Sequence, residues 1–219
     1  MKSPDSSGFF YFGFCRFKSI FATHIFTLDL FLQNIAKHVS LTPEEQQIVL
    51  SKTETKSFKA KSLLLEAGQV CTHSFFVCNG ILRSYTIDDH AVEHVVSFAT
   101  PDWFIADMYS YISQRPGHLF IEANEDSEVL LLSKENQEKL YREVPKMERF
   151  FRILIENSLV ANQQRLIDNL TFTAEARYDK FTHKHPDLVH CLPQKQIASY
   201  LGVTPEFFSK MKSRMLKRS

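Results

Sequence analysis

The sequence predicts an α+β protein: an antiparallel β-roll (a double-stranded β-helix), then one long helix, then a pair of short helices at the carboxyl end. Three observations carry this. Short apolar runs alternate with turn signals between Phe58 and Leu132, apolar side chains keep helical spacing from Pro145 to Leu170, and Leu192 to Leu216 reads as two amphipathic helices around a glycine corner. A chain of 219 residues, 44% hydrophobic and 23% charged, has the balance of an ordinary soluble globular protein with room for two modest domains.

The amino-terminal end is the least regular. Phe9 to Phe26 is rich in phenylalanine, but Arg16, Lys18 and His24 interrupt it and no small-residue cleavage site follows, so neither a membrane anchor nor a signal peptide is expected. Gly8 and Gly13 among aromatics suit no regular element, and residues 1–27 are predicted to be a disordered or non-native extension. Thr42 with Glu45 three residues on forms a capping box, with Pro43 at the first position of a short helix through about Lys52. Runs at Phe58–Glu66, Ser74–Ile87, Ala91–Phe98 and Leu119–Leu132 then read as strands. They are separated by Ala67-Gly68, Asn79-Gly80, Asp88-Asp89 and Pro116-Gly117. Asn79-Gly80 is the strongest hairpin signal, because both residues tolerate the positive φ of a type I′ turn. Short strands without long crossovers make an antiparallel roll, and the roll domain is assigned to residues 28–144.

Pro145 opens the long helix, assigned to 145–170, in which Met147, Phe151, Leu154, Ile155, Leu159, Leu166 and Leu170 share one side. At 1.5 Å per residue it is about 39 Å long, more than one small roll covers, so a homodimer through 145–170 is expected. The competing reading is a helix lying wholly on its own roll. Ala174 to His183 reads as a further short helix, and a hinge is expected near Thr171, where the last domain, 171–219, begins.

In that domain Pro193 opens a helix running to Leu201 with Ile197, Ala198 and Leu201 inward. Gly202 supplies the positive φ that ends it. Thr204 caps the next helix, Pro205 takes its first position, and Glu206 sits beside the positive end of the dipole. Phe208, Met211 and Met215 turn inward, which leaves Glu206, Ser209, Lys210, Ser213 and Lys217 on an outward strip of a width that enters a major groove. From Leu192 to Ser219 six basic side chains face one acid, a net of +5. The whole chain carries +1, so the remainder is −4. A positive field confined to this end is the footprint of a surface that neutralises a phosphate backbone, against the alternative of a solvated basic tail.

The order helix, roll, long helix and helix-turn-helix resembles the Crp/Fnr family of transcription regulators over about Leu28 to Lys217. The specific part is PQKQIASYLGVTPEFFSKMKSRM, similar to the family's second and third DNA-domain helices, where Gln-x-x-Ile-Ala precedes a Leu-Gly-Val-Thr corner. The resemblance implies base contacts from Pro205, Glu206 and Lys210 and phosphate contacts from Gln194 and Thr204. With the basic strip, the full candidate set for double-stranded DNA is Gln194, Lys195, Thr204, Pro205, Glu206, Ser209, Lys210, Lys212, Ser213 and Arg214. Pro205 and Lys210 stand where the family commonly has arginine, which weakens bidentate guanine recognition. The resemblance further implies a cytoplasmic homodimer that meets RNA polymerase and a small-molecule effector.

The effector region departs from the cyclic AMP pattern of Gly-Glu followed by Arg-Ser or Arg-Thr. Here WFIADMYSYISQRPGHLFIEA has Ala106-Asp107 in place of Gly-Glu, and Arg115 is followed by Pro116-Gly117. A buried phosphate lacks its cation, so no cyclic AMP is expected, and without clustered amino-terminal cysteines no iron-sulfur cluster either. The candidate pocket residues for an unidentified effector are Trp103, Asp107, Arg115 and His118, with Trp103 expected to pack in the roll.

Cys15, Cys71, Cys78 and Cys191 form no C-x-x-C pair, which points to thiols in a reducing compartment. His90-x-x-Glu93-His94 matches an inverted zinc-protease motif, but on a strand its histidines stand about 13 Å apart, too far for one zinc. His73, His118 and Cys71 have no metal-site spacing, and Asp107 with Glu122 reads as surface or turn carboxylates rather than a catalytic pair. No catalytic or metal site is expected. The rival from another class is a cupin-like small-molecule or metal-binding roll whose terminal hairpin is only structural.

Overall fold

The computed structural model describes residues 20–217. Helices α1 (Ile20–Ala36) and α2 (Pro43–Ser51) precede strands β1 (Thr53–Phe58), β2 (Leu63–Leu65), β3 (His73–Asn79), β4 (Leu82–Ile87), β5 (Glu93–Ala99) and β6 (Phe104–Ile105). Helix α3 (Met108–Ser113) separates these from β7 (Phe120–Ala123) and β8 (Ser127–Ser133). Helices α4 (Lys134–Glu143), α5 (Lys146–Thr171), α6 (Ala174–Lys184), α7 (Leu188–Cys191), α8 (Gln194–Tyr200) and α9 (Pro205–Leu216) complete the described chain.

Two four-stranded antiparallel sheets, ordered β1-β8-β3-β6 and β2-β7-β4-β5, face one another as the predicted roll. Phe75, Val77, Val129 and Leu131 of the first sheet meet Leu65, Leu82, Ala99, Ile121 and Ala123 of the second. The alternate residues Phe76, Cys78, Leu130 and Leu132 point the other way, against Phe31, Ile35, Leu140, Val144, Met147 and Phe150 of the flanking helices. Strands buried on both faces read as unbroken apolar runs, which is why Phe75–Cys78 and Val129–Leu132 were conspicuous in the sequence.

The Asn79-Gly80 hairpin is not formed. Strands β3 and β4 lie in different sheets, so the turn carries the chain from one sheet to the other. Gly80 has φ +87°, and a Cβ there would lie 2.3 Å from Ser127 Oγ and 2.8 Å from Asp126 O. Gly80→Ala is therefore expected to cost about 3 kcal/mol, from the left-handed backbone plus overpacking, read as a lower urea midpoint. The same corner-turning splits an expected strand, Leu119–Leu132, into β7 and β8, one in each sheet; the expected run Phe58–Glu66 holds β2 and only the last residue of β1, which starts at Thr53. Strands β4 and β5 do pair as a hairpin. Asp88 closes it by accepting from His90 N at 2.9 Å and Val92 N at 3.0 Å, while its other oxygen meets His94 Nε2 at 2.7 Å.

The capping box of α2 is as expected, with Glu45 N donating to Thr42 Oγ1 at 3.3 Å and Thr42 N to Glu45 Oε2 at 2.8 Å. Residues 20–27, assigned to the disordered extension, belong to α1, which is held by Phe31 and Ile35, each 1% exposed. Residues 1–19, the remainder of that expectation, lie outside the described residues. Helix α4 escaped the sequence reading because it buries only Gln137 and Leu140. It rests on the Ser133 cap, at 3.0 Å from Asn136 N, and on the pairs Lys134–Glu138 and Glu135–Lys139. In α5 the expected stripe divides in two. Met147, Phe150 and Phe151 are buried on the chain's own roll, whereas Ile155, Leu159, Val160, Leu166, Ile167 and Leu170 are exposed.

Candidate nucleic-acid interface

The corner between α8 and α9 is a Schellman motif. Gly202 N donates to Ser199 O and Val203 N to Ala198 O, both at 3.0 Å, with Gly202 at φ +69°. Helix α8 starts at Gln194 with Pro193 as its N-cap, one residue later than the sequence suggested. Thr204 then caps α9, its hydroxyl accepting from Phe207 N at 3.2 Å, with Pro205 at the first position and Glu206 in the first turn. Carboxylates there are favoured by the helix dipole.

Ile197, Ala198, Leu201, Phe208 and Met211 are buried with Tyr178, Phe181, Leu188 and Leu192 in one cluster, and Val203 and Met215 pack against it. The Tyr178 and Phe208 rings meet edge to face, 5.1 Å between centroids. This core fixes α9 so that Thr204, Pro205, Glu206, Ser209, Lys210, Ser213 and Arg214 are all exposed, as are Gln194 and Lys195 at the start of α8, while Lys212 is half-buried. The ten candidate residues thus lie on two adjoining helices with the corner between them. Arg214 approaches Glu175 at 3.9 Å, and the Ser213 hydroxyl donates back to Ser209 O at 3.0 Å, leaving its lone pairs outward. Phe207, which sequence reasoning missed, is 46% exposed beside Glu206. Its signal was there: it falls outside the 208–211–215 inward set, on a face with Lys210 and Arg214.

Of the four effector candidates, Asp107 and His118 meet through the His118 backbone amide, while the side chains of Trp103, Arg115 and His118 are exposed. Trp103 is 53% exposed rather than packed in the roll, because it follows the turn in which Asp102 has φ +76° and Trp103 N donates to Thr100 O. Arg115 is exposed. His118 is exposed too, stacked at 5.6 Å on Tyr109 along a cleft with Ala67, Gly68, Ile87 and Phe120. Asp107, expected at the surface or in a turn, is buried at 2% exposure. One carboxylate oxygen accepts from Ser110 N at 3.1 Å, and the other from His118 N at 3.0 Å and Leu119 N at 3.1 Å. The carboxylate lies where a Cβ on Gly117 would approach it to 2.3 Å, so the loop closes tightly on it. Among the described residues no Lys, Arg or His forms an ion pair with Asp107. Glu122 is not its partner, since it accepts from Arg83 at 3.0 Å and from Tyr85 at 3.3 Å.

Other chemistry is poorly supported. Burial pushes the Cys78 thiol up to about 12 and also raises Cys71, so neither is a ready thiolate. His73 and Cys71 border one cleft and His118 another, and among the described residues no group of three His, Cys, Asp or Glu side chains is placed to hold a metal ion.

Comparison with known proteins agrees with this architecture. Residues 55–144 match the family model of the cyclic nucleotide-binding domain. The anaerobic regulatory protein of Haemophilus influenzae is 22% identical over 173 residues, 74% of this chain and 66% of that protein, so the chain spans just under two thirds of its relative's length. The c-di-GMP responsive global regulator CLP of Xanthomonas campestris superposes with a TM-score of 0.67 at 11% identity, over 81% of this chain and 93% of that one. The chain has a Crp/Fnr-like fold. FixK2 of Bradyrhizobium japonicum superposes likewise, with a TM-score of 0.66 at 18% identity, over 76% of this chain and 85% of that one. Within the Crp/Fnr architecture, β1 to α4 make up the matched domain, and α8 with α9 form the terminal helix-turn-helix.

Proposed function

We propose that this chain is a cytoplasmic transcription regulator of the Crp/Fnr family, not an enzyme, which binds duplex DNA sequence-specifically as a homodimer. The observation that carries the reading is the division of α9 into a buried face of Phe208 and Met211 and an exposed one of Glu206, Ser209, Lys210 and Ser213 within the positive end of the chain. Glu206 is assigned to accept from a cytosine amino group, Lys210 to donate to guanine, and Phe207 to meet a thymine methyl. Gln194, Lys195, Thr204, Lys212 and Arg214 are assigned to phosphates, with Pro205, Ser209 and Ser213 shaping the contact. The exposed half of α5 supplies the dimer seam, since a row of six large apolar residues is more than a solvated helix face ordinarily shows. Names of relatives that include "regulatory protein" and "global regulator" point the same way.

The effector half of the reading is that this roll takes neither cyclic AMP nor an iron-sulfur cluster. Its support is Asp107, whose carboxylate already uses the backbone amides an anion would seek. No helix among the described residues is long and apolar enough to cross a membrane. Selection of bound fragments from random duplex DNA tests the proposal: a recurrent twofold-symmetric motif is expected, whose affinity falls steeply with salt. Recovery of random sequence would refute it. Calorimetry with cyclic AMP tests the other half, with no heat of binding expected at micromolar concentrations.

A further inference from the structure

Strand β5 is the outer strand of its sheet, and an outer strand leaves a row of N–H and C=O groups without a ladder partner. Here the helices at the carboxyl end take up those groups. The Ser199 hydroxyl, on α8, donates to Glu93 O and accepts from Val95 N, both at 2.8 Å. A bulge opposite Ser84 and Tyr85 leaves Val96 out of the ladder. Arg165 of α5 donates to the carbonyls of both Val95, at 3.2 Å, and Val96. It also reaches Tyr200 O at 3.1 Å, with its guanidinium 4.1 Å from the centre of the Tyr200 ring. A third tie is reciprocal: Asn124, just past β7, and Gln196 of α8 donate to one another at 3.0 and 3.1 Å. Apolar contact backs these bonds, because Ile81 of the roll is buried in the cluster of the terminal helices and Phe98 of β5 lies 5.4 Å from Tyr200.

We propose that this seam is a latch that sets the orientation of α9 relative to the roll. Arg165, Gln196 and Ser199, with Asn124 opposite, are positioning residues, and the reading pair moves with β5 as one body. The joint they govern is short: only Phe172 and Thr173 separate α5 from α6, and Phe172 is extended at φ −98°, ψ 147°. A two-residue extended joint pivots unless contacts on both sides hold it. Lys180 to Asp168, at 2.5 Å, and Arg177 to Phe172 O and Leu201 O, at 2.8 and 2.9 Å, tie the near side. The latch ties the far side. The strip on α9 stays exposed throughout, so the latch fixes the reading helix without covering it. Resting on the DNA-binding reading above, the consequence is that the two reading helices of a dimer stand at one fixed separation.

The test uses the full chain and Asn124→Ala/Ser199→Ala, neither residue being on the strip. In the native protein the Val95 amide is expected to exchange hydrogen slowly, and moving two half-sites about two base pairs from their best spacing to cost roughly tenfold in affinity. In the double variant that amide is expected to exchange about tenfold faster and the spacing penalty to shrink, with affinity for a single half-site unchanged. Gln196→Ala, which removes one tie, gives the intermediate case if the double variant folds poorly. A Val95 amide that exchanges in the native protein as fast as an open strand edge would overturn the proposal. So would an unaltered spacing penalty in a variant whose amide has become fast. Should the native protein bind no duplex, the DNA-binding reading fails and hydrogen exchange alone decides whether the latch exists.

Discussion

Lys210→Glu is expected to change which operator the protein prefers, whereas Lys212→Ala lowers affinity for every operator by the same factor. Lys210 is exposed on the outward strip of α9, two residues after buried Phe208 and one before buried Met211, so its ammonium projects into whatever groove the helix enters. A well-made base contact contributes roughly 1–3 kcal/mol of discrimination. Reversing the charge removes a guanine donor and puts a carboxylate where a cytosine amino group is the favoured partner. Lys212 lies off that strip and half-buried, and on the proposed reading it meets phosphates and not base edges. Its loss should also lower the slope of log affinity against log salt by about 1. Fluorescence anisotropy on a panel of single-base operator variants reads both. Uniform loss across the panel for both substitutions would remove Lys210 from the base-reading set.

Asp107→Ala is expected to destabilise the roll by roughly 3–5 kcal/mol. The change strands the amides of Ser110, His118 and Leu119, each of which donates to the carboxylate, in a site that is 2% exposed. Asp107→Asn keeps the shape and one acceptor oxygen but turns a donor towards an amide, so a smaller loss is expected. Urea denaturation followed by circular dichroism orders the three proteins. Equal midpoints for all three would mean that the carboxylate is not what closes the loop between α3 and β7.

Legibility in the sequence followed how local each cause is. The α8–α9 corner was readable to the residue, since Gly202, Thr204 and Pro205 act through their own backbone and the next turn. The roll was readable as a class because β3 and β8 are buried on both faces. Its pairing was not: the Asn79-Gly80 signal is the same for a hairpin and for a crossing between sheets, and only the close approach of Ser127, a residue distant in sequence, distinguishes them. Asp107 was visible as a departure from a motif, but not as a buried carboxylate, because two of its three amides come from residues eleven and twelve positions away. Helix α4 has only Leu140 and Tyr141 as apolar residues, too few for a periodicity to be read. The seam along β5 was invisible, since Ser199, Gln196 and Arg165 are ordinary polar residues until β5 is known to be an outer strand.

On the proposed reading, the exposed face of α9 reads duplex DNA in two copies related by a dimer axis. Hydroxyl-radical footprinting of the purified chain on a selected duplex, with mass measured by sedimentation in the same buffer, tests it most directly. Two protected patches about one helical turn apart are expected, on a complex containing two chains. A single protected patch under one chain, or uniform protection along the duplex, would contradict it.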